Sequence, residues 1–341
     1  MKGTTRSEPL HRPHVATGWP AMVEAWLPLL KGAQRWLVCP HQAPDADTLG
    51  SSLAMAGLLR ALGAEAFLVC DDPGLARFSF LPGVEHVRRD APAGEAGAVA
   101  LDAADLSRLG GTAALVADRR PLVNIDHHVS NTGWGSHQLI DPEAAATGEI
   151  VWLLYHHFGV PVDRAAATCL YAALLTDTGG FRYPSTTPRT LGIAAALLEV
   201  GIDAPGIAAA IYEQRTAASV RLLGEALRGL KLTADGRIAW VSVPLAAFEA
   251  TGATEEDADA IVDRVREVAG VEALFVARES RSGAVRVSLR AKGALDVNAV
   301  AGRFGGGGHR QAAGCTLAGP LREAEERLLA SLCAGLEDEA A

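Results

Sequence analysis

The 341-residue sequence lacks a disulfide pattern and any long apolar run. Its five cysteines are scattered, odd in number and never arranged as C-x-x-C, which is typical of reduced thiols in a cytosolic protein. No apolar stretch approaches the roughly 18 residues of a membrane span, and residues 1–20 contain no signal-peptide core. We therefore expect a cytoplasmic protein that does not enter a membrane.

An excess of positive charge is also missing. The formal net charge is −9, whereas proteins that bind long nucleic acid generally expose a basic surface. This argues against long duplex nucleic acid as a partner. A short anionic substrate, bound by a local basic patch and metal ions, remains compatible with the charge.

Hydrophobic residues make up 49% of the chain, enough for a core in each of two domains. In the first two hundred residues short apolar strands alternate with helical patterns, which predicts an α/β fold with a parallel sheet and helices on both faces. The predicted strands cover 35–39, 65–70, 98–101 and 122–125. After residue 231 a smaller mixed-sheet α/β domain is predicted.

The predicted domain organisation has four parts. Residues 1–20 form a flexible extension, 21–203 the first domain, 204–222 a helical connector and 223–341 the second domain. Helices are expected from about Leu49 to Arg60, over 165–175, and through most of 204–230.

Acidic and imidazole side chains follow the predicted strands and one further apolar run, 171–175. They are His41, Asp45 and Asp47; Asp102; Asp126, His127 and His128; and Asp177. Because parallel strands send their carboxyl ends to one edge of a sheet, we expect these side chains to meet there. An aspartate after a strand is commonly only a helix cap, and a lone histidine is usually only hydrogen-bonded. Four such segments together favour a metal site, since clustered carboxylates repel one another without cations.

The ligand types indicate which metal the site would take. Oxygen ligands with a minority of imidazoles favour manganese or magnesium over structural zinc, which prefers thiolates. Two ions about 3.5–4 Å apart, bridged by one carboxylate, would clamp a phosphoryl centre and activate a water as nucleophile.

These residues resemble the DHH phosphoesterase superfamily, whose signature triplet stands here as Asp126-His127-His128. Three further motifs match: His41-x3-Asp45-x-Asp47-x2-Gly50-Ser51, Leu101-Asp102-x2-Asp105-x2-Arg108-Leu109-Gly110, and Thr176-Asp177-Thr178-Gly179-x-Phe181-Arg182-Tyr183. Near the C-terminus, Phe304-Gly-Gly-Gly-Gly-His309-x2-Ala312-Ala313-Gly314 resembles the glycine motif of the DHH-associated domain. The resemblance therefore extends from residue 41 to residue 314.

The resemblance implies a role for each matching residue. His41, Asp45 and Asp102 would hold one manganese ion. Asp47, Asp102, His127 and Asp177 would hold the second, so that Asp102 is the bridge. His128 would bind phosphate or assist proton transfer, and Asp126 would orient a histidine.

The resemblance also implies an activity. In length and layout the chain is similar to the bacterial oligoribonucleases that also dephosphorylate 3′-phosphoadenosine-5′-phosphate, and members of similar layout are linked to cyclic-di-AMP breakdown. The expected substrates are short oligoribonucleotides, dinucleotides and 3′-phosphoadenosine-5′-phosphate. The alternatives are a pyrophosphatase or exopolyphosphatase and a nucleotide-binding sensor without turnover. The oligomeric state is left open, with a homodimer as one option.

A second group of residues predicts a grip on the substrate. From residue 273 to 311 there are seven Lys or Arg against two acids, in a chain that is acidic overall. Such a tract can be no more than a solvated sheet edge, and a glycine tract no more than a flexible turn. We expect instead that it binds a terminal phosphate or base, with backbone amides of the glycine tract at the start of a helix forming an anion cradle. The expected residues are Ser288, Arg290, Gly306, Gly307, Gly308 and His309, with Arg182 beside Asp177.

Overall fold

The computed structural model describes residues 23–24, 26, 28, 30, 35–92 and 97–338. The chain divides into two compact units, Met1–Gln214 and Arg215–Ala341. The division falls inside the predicted connector 204–222, while the predicted extension 1–20 lies outside the described residues.

The first unit is built on a five-stranded sheet in which every pairing is parallel, with the strand order β2-β1-β3-β4-β5. Its strands are β1 (Arg35–Cys39), β2 (Glu65–Leu68), β3 (Gly97–Leu101), β4 (Leu122–Asp126) and β5 (His137–Ile140). The predicted parallel α/β fold is thereby confirmed. The edge strand β5 was not predicted, because its four residues hold only one fully buried side chain, Leu139.

Helices connect and cover these strands. They are α1 (Ala46–Ala61), α2 (Ala113–Val116), α3 (Thr147–His157), α4 (Arg164–Asp177), α5 (Pro188–Glu199) and α6 (Ala204–Tyr212), with 3₁₀ turns at Pro73–Phe78, Val84–His86 and Leu106–Thr112. Helix α1 begins three residues before the predicted Leu49, because Asp45 caps it. The helical pattern of 204–230 is broken into two helices, since Thr216 caps a new helix at Ala217.

Alternate residues of the strands bury opposite faces of the sheet. Trp36 and Val38 pack against the long helices α1, α3 and α4. Leu37 and Cys39 face the other way, against the 3₁₀ turn Leu106–Thr112 and α2. Both faces of the sheet are therefore covered, as predicted. A functional site can then form at the edge where the carboxyl ends of the strands lie.

The second unit contains a six-stranded mixed sheet, ordered β10-β11-β9-β8-β7-β6, in which only β7 and β8 pair in parallel. The strands are β6 (Lys231–Leu232), β7 (Ile238–Val243), β8 (Ala273–Glu279), β9 (Ala284–Ala291), β10 (Gly307–His309) and β11 (Ala312–Ala318). The helices are α7 (Ala217–Arg228), α8 (Leu245–Thr251), α9 (Asp259–Arg266), α10 (Val297–Gly302) and α11 (Leu321–Asp338), with a 3₁₀ turn at Glu256–Ala258. Helices α10 and α11 cover one face of the sheet, and α7, α8 and α9 cover part of the other.

One prediction for this unit was wrong. The small residues after the glycine tract do not begin a helix but form β11, which pairs antiparallel with β10 and β9. The tract is therefore one side of a hairpin, because extended backbone there finds partners on two neighbouring segments.

Among the described residues no single helix has the length and hydropathy of a membrane span. Helices α5 and α6 meet these two criteria only when they are taken together, and the pair is bent by 117°. All five cysteines are free thiols, four of them buried. Burial raises the pKa of the Cys39 thiol to about 12, which keeps it protonated and unreactive at neutral pH.

Candidate metal centre

The end of β1 and the first turn of α1 supply three of the candidate ligands. His41 lies two residues beyond the end of β1, with Nε2 4.0 Å from Asp45 Oδ1. The same Asp45 oxygen accepts the backbone N–H groups of Asp47 and Thr48, both at 3.0 Å. Asp45 is thus a helix cap and a member of the cluster at once, so the two interpretations of this residue are compatible.

Asp102 lies at the centre of the cluster. It follows β3 with a left-handed backbone, φ +60°, and is 2% exposed. Its Oδ2 is 3.5 Å from His41 Nε2, and its Oδ1 is 3.5 Å from His127 Nε2. The two oxygens of one carboxylate therefore face different histidines, which is the arrangement that a bridging ligand requires.

The end of β4 supplies the triplet. Asp126 Oδ1 accepts the backbone N–H of His127 at 2.9 Å and the Nδ1–H of His128 at 2.7 Å. Its Oδ2 accepts the side-chain amide of Asn131 at 2.6 Å. Both oxygens of Asp126 are thus occupied, which suits a residue that orients the histidines rather than one that binds metal.

Asp177 lies beside the other candidate ligands, but a helix end and not the expected strand end positions it. It is the last residue of helix α4, not a residue at a strand end. Its Oδ2 lies 3.1 Å from His127 Nε2, and Asp47 Oδ2 lies 3.9 Å from the same atom. Three strand ends and one helix end therefore meet at the edge of the sheet.

Two groups of three ligand atoms could each hold an ion, since the atoms within each group lie within 4.8 Å of one another. One group is His41, Asp45 and Asp102, and the other is Asp47, His127 and Asp177. A third group, which overlaps both, joins Asp102 to His127 and His128.

The histidine tautomers suit metal binding. His41 Nδ1 lies 2.8 Å from the Gln42 carbonyl oxygen, and His127 Nδ1 lies 3.2 Å from that of Ala144. A carbonyl oxygen accepts only, so each Nδ1 keeps its proton, and each Nε2, which faces the carboxylates, is the atom that can bind a cation once it has lost its own proton. Oxygen-rich donors with two imidazoles therefore fit a pair of hard divalent cations.

The electrostatics of the cluster call for cations. Burial, and then the charges of Asp102 and Asp177, raise the pKa of Asp45 and raise that of Asp47 further. Burial lowers the pKa of His127, but a hydrogen bond to Asp177 and the nearby carboxylates outweigh it and raise this pKa to about 10. Without metal the cluster thus holds protons where cations would otherwise balance its charge.

The sequence predicts a helix over Ala145 to His157, but sequence reasoning missed the contacts that its first turn, at the start of α3, makes with the candidate ligands. The backbone N–H groups of Thr147 and Gly148 donate to the two oxygens of Asp47, at 2.8 and 2.9 Å. The Thr147 hydroxyl donates to Asp102 Oδ1 at 3.0 Å. The sequence does contain a helix start here, but it holds no signal that the start faces Asp47 and Asp102.

A buried ion cluster, also missed, supports that turn. Arg189, at the start of α5, pairs with Glu149 in the first turn of α3 and lies 3.3 Å from Asp141 Oδ2. The Thr190 hydroxyl donates to Glu149 at 2.9 Å. Glu149 is fully buried, so its charge depends on these partners.

The predicted substrate-binding residues of the second unit fall on one hairpin and its neighbouring strand. Ser288 and Arg290 lie two residues apart on β9, and Ser288 pairs with Gly314 of β11. A Cβ at Gly306 would meet the Gly314 carbonyl oxygen at 2.2 Å, whereas one at Gly307 would meet nothing closer than 3.8 Å. Close strand approach therefore explains the first glycine, and the second has open space beside it. Gly308 lies in β10, and the side chain of His309 is outside the described residues.

Arg182 belongs to the tight turn after Asp177. Its Nε donates to the Gly179 carbonyl oxygen at 2.5 Å. The ring of Tyr183, which is 39% exposed, packs over Gly179. Both side chains thus lie at the turn that directly follows a candidate ligand.

Comparison with known proteins gives consistent matches. The model of the N-terminal domain of the DHH family matches residues 35–174, and that of the DHHA1 domain matches residues 242–338. The chain is 37% identical over 295 residues to a Thermus thermophilus bifunctional oligoribonuclease and PAP phosphatase, NrnA, covering 86% of this chain and 87% of the relative. It is 27% identical to the protein of the same name from Bacillus subtilis, with 81% and 87% covered. In fold it is similar to an exopolyphosphatase-related protein from Bacteroides fragilis, with a TM-score of 0.85, 24% identity, and 94% and 97% covered.

Proposed function

Because the chain belongs to the DHH phosphoesterase family and carries its DHHA1 domain, we propose that it hydrolyses phosphate esters of short nucleotides. Short oligoribonucleotides and linear dinucleotides would yield mononucleotides, and 3′-phosphoadenosine-5′-phosphate would lose its 3′-phosphate. The observation that carries this proposal is Asp102, whose two oxygens each lie 3.5 Å from a different histidine.

Two divalent cations are the proposed cofactors, with manganese preferred and magnesium as the alternative. The first would be held by His41, Asp45 and Asp102. The second would be held by Asp47, Asp102, His127 and Asp177. Bound there, the cations would neutralise phosphate charge and lower the pKa of a water that attacks phosphorus.

His128 is the proposed acid of the reaction. The hydrogen bond that His128 Nδ1–H donates to Asp126 outweighs partial burial and raises the pKa of His128. Its side chain is 31% exposed, so Nε2 can reach a substrate. We assign to it phosphate binding and proton delivery to the leaving oxygen.

The second unit is proposed to bind the part of the substrate that does not react. Ser288 and Arg290 of β9 offer side-chain donors for a terminal phosphate or base. The tract Gly306, Gly307 and Gly308 would line the same substrate with backbone free of side-chain bulk, although the Gly306 N–H itself donates to the Ala301 carbonyl oxygen at 3.0 Å. A grip of this kind on the far end of the substrate would favour dinucleotides and short oligomers over long strands. Arg182 would assist at the metal-site end.

A substrate panel tests this function. Manganese-loaded protein is incubated with 3′-phosphoadenosine-5′-phosphate, linear and cyclic dinucleotides of adenylate, a five-nucleotide RNA, a long single strand and pyrophosphate, and the products are separated by chromatography. We expect mononucleotides from the short linear substrates and little from the long strand. Phosphate release from pyrophosphate alone would overturn the proposal. The cyclic dinucleotide then shows whether ring opening belongs to the activity.

Asp102→Asn supplies the negative control for this panel, and Asp105→Asn supplies its matched partner. Asp105 is half-buried and caps the 3₁₀ turn Leu106–Thr112 by accepting the Ser107 N–H, a bond that asparagine can also make. We expect Asp105→Asn to keep wild-type products and Asp102→Asn to lose them.

A further inference from the structure

Thr147 contacts two of the proposed metal ligands at once. Its hydroxyl donates to Asp102 Oδ1 at 3.0 Å, and its backbone N–H donates to Asp47 Oδ2 at 2.8 Å. Thr147, Asp47 and Asp102 are all at most 2% exposed. The contacts are therefore made in a region that water hardly enters, where bonds to a carboxylate are strong.

The two carboxylates come from separate parts of the chain. Asp47 belongs to the first turn of α1, and Asp102 follows β3 in a left-handed backbone conformation. Each is free to rotate about its own side-chain torsions unless something outside its own segment restrains it. Thr147, the first residue of α3, bonds to both and so ties their positions to one another.

The hydroxyl acts on the oxygen of Asp102 that faces His127. Asp102 Oδ1 lies 3.5 Å from His127 Nε2, while Oδ2 lies 3.5 Å from His41 Nε2. Fixing Oδ1 therefore fixes the plane of the carboxylate and keeps its two oxygens directed to the two candidate ion positions. Threonine suits this task because its branched side chain has few rotamers.

The turn that carries Thr147 is itself held in place. Glu149, in the same turn, is fully buried and bonded to Arg189 and to the Thr190 hydroxyl of α5. The Gly148 N–H adds a second bond to Asp47, at 2.9 Å. The start of α3 is thus a fixed support from which the hydroxyl can position a ligand.

We propose that Thr147 is a positioning residue that sets the affinity of the centre for its metal ions by holding Asp102 in its bridging orientation. The inference rests on the proposed function for the identity of the centre, but it concerns metal binding and not turnover. Removing a group that orients a ligand typically costs 10–100-fold in metal affinity.

The test measures manganese binding to metal-free protein by calorimetric titration. Thr147→Val keeps the shape of the side chain and removes the hydroxyl, whereas Thr147→Ser restores the hydroxyl. We expect the valine variant to bind manganese roughly 10–100-fold more weakly and the serine variant to bind within about threefold of wild type. If the valine variant does not fold, Thr147→Ala removes the hydroxyl without adding bulk and should show the same loss of manganese affinity.

Thr112→Val is the matched control. Thr112 is 2% exposed, and its hydroxyl donates to the Leu109 carbonyl oxygen at 2.8 Å, away from the ligands. If Thr147 only stabilised the fold, both valine variants would lower the melting temperature of the metal-free protein and leave manganese affinity unchanged; that result would overturn the proposal. Wild-type protein that binds no manganese would overturn it together with the metal centre. Wild-type protein that binds manganese but cleaves no nucleotide would refute only the proposed function.

Discussion

Replacing Gly50 by alanine tests the close packing of α1 on α4. A Cβ built at Gly50 would lie 2.4 Å from the carbonyl oxygen of Cys169 and 3.2 Å from its carbonyl carbon. The obstruction is the backbone of a buried helix, so no side chain can rotate away. The two helices must separate to admit the methyl group.

Two opposing effects set the size of the change. Alanine in a helix is favoured over glycine by about 0.5–1 kcal/mol. Forcing an extra carbon into a packed interior costs about 1–3 kcal/mol. The cost of separating the two helices should exceed the gain in helix propensity. We therefore expect Gly50→Ala to lower the free energy of unfolding by roughly 1–2 kcal/mol. Because α4 ends at Asp177, its displacement should also weaken manganese binding.

The assay is urea unfolding of the metal-free protein, with Gly192→Ala as its matched partner. Gly192 lies inside helix α5 of the same unit, and a Cβ there would meet nothing within 4 Å. That variant should gain about 0.5–1 kcal/mol from helix propensity alone. If Gly50→Ala were stabilised as much as Gly192→Ala, the helix contact described here would be refuted.

Three further predictions concern charge and binding. Arg189→Met should lower the free energy of unfolding by about 3–5 kcal/mol, because it leaves the buried charge of Glu149 without its ion-pair partner. Arg35→Met, which removes an exposed ion pair with Glu65, should lower it by under about 1 kcal/mol, and urea unfolding of the two variants measures the difference. Manganese binding at pH 8 should release protons, because the pKa of His127 is raised to about 10 and a metal binds only the neutral ring. Calorimetry in two buffers of different ionisation enthalpy measures this release, and equal binding enthalpies in both buffers would contradict the prediction. His309→Ala should raise KM more than it lowers kcat in steady-state assays, and an unchanged KM would count against a substrate grip by the second unit.

The proximity of the candidate metal ligands could be predicted from the sequence where a general rule of folding applied. A parallel sheet sends the carboxyl ends of its strands to one edge, so the residues after β1, β3 and β4 had to meet there. Asp177 was predicted to join them although a helix end, and not a strand end, brings it in. The strand-end argument therefore placed Asp177 correctly for a wrong reason, whereas the resemblance to the family motif placed it without assuming a strand.

The contacts that α3 makes with distant segments could not be predicted from the sequence. Thr147 meets Asp47 across 100 residues of chain and Asp102 across 45. No periodicity within α3 encodes either partner. The strand β11 was missed for a different reason: Ala312, Ala313 and Gly314 have low strand propensity, and their conformation is imposed by the pairing with β9 and β10.

The most direct test of the central claim is the rate of AMP release from the linear dinucleotide pApA. It is measured on wild-type protein after chelation, after manganese is restored, and on Asp102→Asn with manganese. We predict no release after chelation, recovery with manganese, and a rate for Asp102→Asn reduced at least about a thousandfold, since the carboxylate shared by both ion positions is lost. Undiminished release by the chelated protein, or by Asp102→Asn, would contradict a metal-dependent phosphoesterase centred on Asp102.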